Sequence, residues 1–158
     1  MPFVLFVCTA NQTRSPIAAA LFTNMLAKAS QLAGWRVESA GTWAEEGLPA
    51  SRAALRAMQI MGLDISRHRT RCVTGGMLAA FDLIVAMEQG HKEALQAEFP
   101  AVAQRVFLLS EMVGAAYDVP DPSDGTDEDL LETVSVMRNM LVQGSARIRE
   151  FTRDNERA

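Results

Sequence analysis

Cys8 and Arg14 stand six positions apart in VCTANQTRSP, residues 7–16. A thiol attacks only as the thiolate, and an ordinary cysteine is mostly protonated near neutral pH. A guanidinium six residues on and a helix starting just beyond it both favour the anion. A five-residue loop entering a helix can turn its backbone N–H groups inward and form an anion nest. Arg14 then closes the ring by a bidentate contact with two oxygens of a tetrahedral oxyanion. The thiolate lies beneath the central atom, in line with a leaving group that points outward. Ser15 is close enough to hydrogen-bond the thiolate. Asn11 tolerates the left-handed conformation of a tight loop, and its amide can brace that loop. A buried core thiol beside a surface arginine is the alternative, since free cysteine often serves as a small apolar residue. The preceding strand, the small-residue loop and Ser-Pro at a helix start favour the nucleophile.

Such chemistry needs a second group. Displacing an alkoxide or phenoxide from phosphorus requires a proton donor at the leaving oxygen, reused as base for the attacking water. YDVPDPSDG, residues 117–125, offers three carboxylates. Asp121 is preferred because Pro120 and Pro122 stiffen the chain on both sides of it. Asp118 and Asp124 lack that restraint, and Asp-Pro and Ser-Asp-Gly are also common turn formers.

Alternating apolar and periodic segments must position these groups. Residues 3–7 form a short continuous apolar run, as in a strand buried on both faces. Residues 16–29 read as a helix with Ser15 as N-cap and Pro16 in its first turn. A second strand spans residues 35–40, closed by Gly41. Residues 50–61 are helical, with Gly62 just past the end. A third strand covers 81–87, a helix 89–99 stops at Pro100, and a fourth strand covers 105–109. Thr126 and Asp129 open a last helix through a capping-box-like pair. Its apolar seam runs Leu130, Val134, Met137, Leu141 and Ile148, with Gly144 on the same seam at a point of close approach. The βα alternation predicts an α/β fold: a doubly wound, four-stranded parallel sheet with helices on both faces. The phosphate-binding loop lies between first strand and first helix, at the C-terminal sheet edge where such folds bind ligands. Residues 1–152 are expected to form one domain, followed by a short polar tail, 153–158.

The 158 residues suit one domain. A formal net charge of −4 gives no reason to expect nucleic acid, so an anion site has to be built locally. No apolar run approaches the ~20 residues of a membrane span, and the start lacks a basic n-region. No membrane partner and a cytoplasmic location are therefore expected. Two cysteines and two histidines offer neither a disulfide framework nor a metal-ligand cluster. Cys72 in RTRCVT is taken as a structural or idle thiol, and His91, beside Lys92 on a helix, as a surface residue.

Together these segments resemble the low-molecular-weight protein tyrosine phosphatase family, in order and over nearly the whole chain. CTANQTRSP is similar to the family's C-x-G-N-x-C-R-S-P. SAGT (39–42), DISRHRTR (64–71), DLIVAM (82–87) and VPDP (119–122) match its further segments. The resemblance implies Cys8 as a nucleophile forming a phosphocysteine, Arg14 as transition-state clamp, and Asp121 as acid then base. It implies a phosphate cradle running from Thr9 through Ala10, Asn11, Gln12 and Thr13 to Arg14. It further implies that Ser15 assists the thiolate while Asn11, Ser39 and His68 hold the loop by hydrogen bonds. The expected partners are a phosphorylated protein or peptide and phosphate or other tetrahedral oxyanions. No cofactor or metal is implied, and the chain is expected as a monomer or weak dimer.

Several positions depart from the family pattern. Ala10 replaces Gly, a small change where φ stays negative. Thr13 replaces a second loop cysteine, which removes any disulfide within the loop. Gln12 occupies the variable position that faces substrate. Ser123 and Asp124 follow Pro122 where tyrosine-specific members often carry an aromatic, leaving Trp43 as the candidate aromatic wall. The expected activity is phosphotyrosine hydrolysis. A protein-arginine phosphatase of the same fold and a thiol-dependent arsenate reductase are the alternatives.

Overall fold

The structure, a computed structural model, describes residues 1–156. Its first strand, β1 (Phe3–Cys8), is buried from Val4 onward. The remaining elements are α1 (Arg14–Lys28), β2 (Arg36–Gly41), α2 (Arg52–Ile60), α3 (Gly75–Ala79), β3 (Leu83–Ala86), α4 (Gln89–Glu98), β4 (Val106–Leu108) and α5 (Asp127–Glu156). The strands lie in the order β2-β1-β3-β4, and every pairing is parallel. Val7 stands opposite both Ala40 and Ala86, and Cys8 opposite Gly41. The strand order reverses between β1 and β3, and a crevice opens at such a switch point beyond the C-terminal strand ends. Cys8 is the last residue of β1 and sits at that crevice.

Alternation along β1 explains the two layers of helices. Val4, Phe6 and Cys8 join a core with Ile17 and Leu21 of α1, Met58 of α2 and Met137 of α5. Leu5 and Val7 pack on the other face with Leu78 of α3, Phe81 and Leu95 of α4. Successive strand residues point to opposite faces, so a strand covered on both sides must be apolar throughout.

Local signals set most boundaries. Gly62 adopts φ +75 just past α2, the left-handed geometry expected there. Thr126 and Asp129 form the reciprocal bonds of a capping box, Thr126 N–H to Asp129 Oδ2 at 2.8 Å and Asp129 N–H to Thr126 Oγ1 at 3.2 Å. At Gly144 an added Cβ would stand 2.5 Å from Met112 Cβ, so α5 does lie against the turn after β4 there. α5 runs past residue 152 to Glu156, and Thr152 is fully buried within it. Residues 157 and 158 of the expected tail lie outside the described residues.

Three expectations need correction. The N-cap of α1 is Thr13, not Ser15. Ser15 falls in the first turn, where its hydroxyl points inward to the loop. The third strand starts later than its apolar run because Phe81 bonds back to Leu78 in the turn before it, and the fourth is shorter because Arg105 and Leu109 belong to the helical turns on either side of it. Finally, α3 was not anticipated, since its Gly-Gly start carries little helix propensity. Thr74 caps it, accepting from Met77 N–H at 3.1 Å. Among the described residues, no helix is long and apolar enough to cross a membrane.

Candidate active site

The loop from Cys8 to Arg14 is shaped by where its carbonyls go. Cys8 O accepts from Thr42 N–H at 2.9 Å, Thr9 O from Trp43 N–H at 3.0 Å, and Gln12 O from Ser51 N–H at 2.9 Å. Asn11 O accepts from His68 Nε2 at 2.7 Å. All four bonds reach outward to neighbouring segments. In a trans peptide the next residue's N–H is antiparallel to the carbonyl. The N–H groups of Thr9, Ala10, Gln12 and Thr13 are therefore turned the other way, toward the cavity, as an anion nest requires.

Asn11 is the pivot of the loop. It is fully buried and adopts φ 58, the left-handed conformation its side chain tolerates. Its Nδ2 donates to Ser15 Oγ at 2.8 Å and to Ser39 Oγ at 3.0 Å, while its Oδ1 accepts from Arg71 N–H at 3.1 Å. Ala10 is not among the positive-φ residues, so it takes the place of Gly without strain. Gly41 in the SAGT segment fits for a different reason. A Cβ there would stand 2.3 Å from Thr9 O and 3.1 Å from Asn11 N, so only glycine lets β2 back the loop this closely.

Cys8 is buried, with Sγ 3.0 Å from Ser15 Oγ. Ser15 Oγ already accepts from Asn11, which leaves its one proton for Ala40 O at 3.2 Å or for the sulfur. A thiolate can only accept, so Ser15 must then be the donor to it. Arg14 is also buried, and among the described residues its Nη1 meets Val119 O at 2.8 Å and Glu88 Oε1 at 3.3 Å. Val119 N–H in turn donates to Met87 O at 2.8 Å, just after β3. The guanidinium thus ties the Cys8 loop to the VPDP loop.

A cavity of about 330 Å³ opens over Cys8. The loop forms its floor, Ser51 at the start of α2 forms one wall, and Asp121 with Ser123 stands across it. Asp121 is exposed and its Oδ1 accepts from Ser123 N–H at 3.0 Å. Asp118 is occupied elsewhere, accepting from Gln89 N–H at the start of α4 at 2.8 Å. Asp124 and Trp43 do not line this cavity. Trp43 anchors the loop through its backbone, and its ring is 86% exposed. Thr13 Oγ1 meets Ser51 Oγ at 2.9 Å, where the family pattern has a second cysteine.

Four participants were not anticipated. Ser51 and Arg71 hold the loop from α2 and from the segment after His68. Glu88 pairs with Arg14, and His91 is a correction: it is buried, not a surface residue, with Nε2 2.7 Å from Thr9 Oγ1. Glu88 and His91 form an E-x-x-H immediately after the third strand. Placement at the C-terminal sheet edge is the signal that could have singled them out.

Both histidines sit below the usual imidazole range. Burial is the chief cause for each, reinforced at His68 by Arg69 and Arg71 and at His91 by Arg14. The folded protein then binds fewer protons than the unfolded chain as pH drops below ~6.5, so stability rises with pH in that window. Melting temperature is expected to decline from pH 7.5 to pH 5.5. A flat or rising profile there would contradict these two environments.

A profile of the family described as low molecular weight phosphotyrosine protein phosphatase matches residues 3–153. A probable low molecular weight protein-tyrosine-phosphatase, EpsP of Ralstonia nicotianae, is 39% identical over 119 residues, covering 75% of this chain and 77% of that protein. A protein-arginine-phosphatase of Geobacillus stearothermophilus is 37% identical over 142 residues, covering 85% and 92% respectively. The solved low molecular weight protein tyrosine phosphatase from T. tengcongensis superposes with a TM-score of 0.87 at 33% identity, over 93% of this chain and 99% of that one. The sequence match spans both the Cys8 loop and the Asp121 loop and agrees with the parallel sheet that joins them, and so the chain belongs to the low molecular weight phosphotyrosine protein phosphatase family.

Proposed function

We propose that this protein hydrolyses phosphotyrosine in proteins or peptides through a phosphocysteine at Cys8. The observation that carries this is the convergence of Cys8, Arg14 and Asp121 on one cavity, with Ser15 3.0 Å from the sulfur. The inward N–H groups and the Nε–Nη2 edge of Arg14 hold the phosphoryl oxygens. The Cys8 thiolate attacks phosphorus while Asp121 gives its proton to the departing tyrosyl oxygen. The S–P bond forms as the O–P bond breaks, releasing tyrosine. Asp121, now a carboxylate, takes a proton from water. The water oxygen attacks phosphorus, the S–P bond breaks, and phosphate leaves with the thiolate restored.

Asp121→Asn tests the acid role directly. Its kcat is expected to drop about 10²- to 10⁴-fold on phenyl phosphate, the usual range for a general acid. The loss should shrink on 4-nitrophenyl phosphate, whose leaving group needs protonation least. An equal loss on both would remove Asp121 from that role.

Phosphoarginine is the second reading, and one observation favours it. The cavity is lined by Gln12, Ser51 and Ser123 with no aromatic side chain among the described residues of its walls, and the Trp43 ring stands outside it. A phosphotyrosine peptide and a phosphoarginine protein offered side by side separate the two, with turnover of the first expected to dominate. Arsenate reduction by paired thiols finds no support. Cys8 pairs with Gly41, and Gly41 bridges Cys72. Two strand spacings, about 9–10 Å, separate the two backbones, beyond the reach of a disulfide without backbone movement.

A further inference from the structure

His91 contacts the Cys8 loop, and the mechanism above does not use it. It stands in the first turn of α4 and is 6% exposed. Its Nδ1 accepts the Glu88 backbone N–H at 3.2 Å. A backbone N–H only donates, so Nδ1 carries no proton. The neutral ring then holds its proton at Nε2, which is 2.7 Å from Thr9 Oγ1 and 3.3 Å from Glu88 Oε2. Nε2 donates to the Thr9 hydroxyl oxygen. The helix cap has chosen the tautomer, and the tautomer has chosen the direction of the bond to the loop.

The consequence falls on Thr9. A hydroxyl has one proton and two lone pairs, and its proton rotates to suit its partners. With one lone pair taken by His91, the Thr9 proton is left for another acceptor. Thr9 follows Cys8 directly and lines the same cavity. The charged groups facing His91 are Arg14, Glu88, Asp118 and Asp121. Glu88 links two of these contacts, with Oε1 3.3 Å from Arg14 Nη1 and Oε2 at His91. One helix start thus holds both ends of the loop, Thr9 and Arg14.

We propose that His91 is a positioning residue of the phosphatase reaction, orienting the Thr9 hydroxyl so that its proton is donated to an oxygen of the bound phosphoryl group. The inference rests on the phosphatase reading above. It adds a side-chain donor to a cradle otherwise made of backbone N–H groups and Arg14. Without the imidazole the hydroxyl is free to turn its proton elsewhere, and the donor is lost when charge builds on the phosphoryl oxygens.

Two near-isosteric variants separate this role from helix capping. In His91→Asn the amide oxygen stands near Nδ1 and keeps the bond from Glu88 N–H, while the donor to Thr9 is gone. In His91→Gln the amide nitrogen stands near Nε2 and keeps that donor, while the cap is gone. With 4-nitrophenyl phosphate, His91→Asn is expected to lose about 10²-fold in kcat, the lower end of the range for one transition-state donor. Its KM should change less than about twofold, because the donor acts mainly on the transition state. His91→Gln should stay within about threefold of wild type in kcat even where its melting temperature drops, since the donor to Thr9 is kept. Thr9→Val should match His91→Asn, Thr9→Ser should recover most of the rate, and Thr9→Val with His91→Asn should cost no more than either alone. Wild-type kcat in His91→Asn, an equal loss in His91→Gln, or multiplying losses in the double variant would overturn the assignment alone. A wild-type protein inactive on 4-nitrophenyl phosphate would overturn the phosphatase reading and this inference with it.

Discussion

Cys8→Ser is expected to abolish turnover of phosphotyrosine peptide, by about 10⁵-fold or more in kcat, as loss of a catalytic nucleophile does elsewhere. The substitution replaces sulfur by oxygen at the end of β1 and leaves the surrounding bonds in place. Ser15, Asn11 and Ser39 do not depend on the sulfur for their mutual contacts. The serine hydroxyl is a far weaker nucleophile than a thiolate, because it is almost never ionised near neutral pH. Binding should survive, since the inward N–H groups and Arg14 are untouched. Equilibrium binding of the peptide to the variant, measured beside single-turnover kinetics, checks both halves. Turnover within tenfold of wild type would remove the phosphocysteine from the mechanism.

Arg14→Lys carries the second large effect, about 10³- to 10⁴-fold in kcat, comparable to removing an arginine from a phosphoryl-transfer site. The positive charge is kept, so the test isolates geometry. Arg14 reaches Val119 O and Glu88 through Nη1, which leaves the Nε–Nη2 edge of the planar fork in place for two phosphoryl oxygens. A lysine ammonium is a point donor on a flexible stem. It can keep the contact with Glu88 and Val119 or meet the phosphoryl group, but it cannot hold both in one fixed plane. The loss should appear in kcat more than in KM, because charge on the equatorial oxygens is engaged most fully at the transition state. Melting temperature should change little, since the buried charge still has Glu88 as partner. A lysine variant within tenfold of wild-type kcat would show that charge alone suffices.

These expectations lean unequally on sequence and structure. The nucleophile loop was legible because its determinants are local. An apolar strand, a small-residue turn, an Asn suited to positive φ and Ser-Pro at a helix start lie within fourteen residues of one another. The parallel sheet was legible too, since a strand covered on both faces must be apolar along its whole length. Ser15 was placed correctly beside the thiol and wrongly as a cap. Its hydroxyl is held by Cys8, Asn11 and Ala40, and Thr13, two residues earlier, takes the cap position without a side-chain cap bond.

The rest depended on register. Flanking prolines mark Asp121 in the sequence, but only the fold places it on the cavity wall while Asp118 bonds to the start of α4, 29 positions away. His91 read as a surface residue because nothing near it in sequence marks it as buried. It meets Thr9 only because β1 and β3 are neighbours and end together at one sheet edge. Glu88 reaches Arg14 for the same reason. Sequence by itself determined which chemistry the loop carries, since that chemistry is written in adjacent residues. Tertiary structure decided which side chains aim and neutralise it, because strand order and register bring together Thr9 with His91 and Arg14 with Glu88, and no local pattern encodes such distances along the chain.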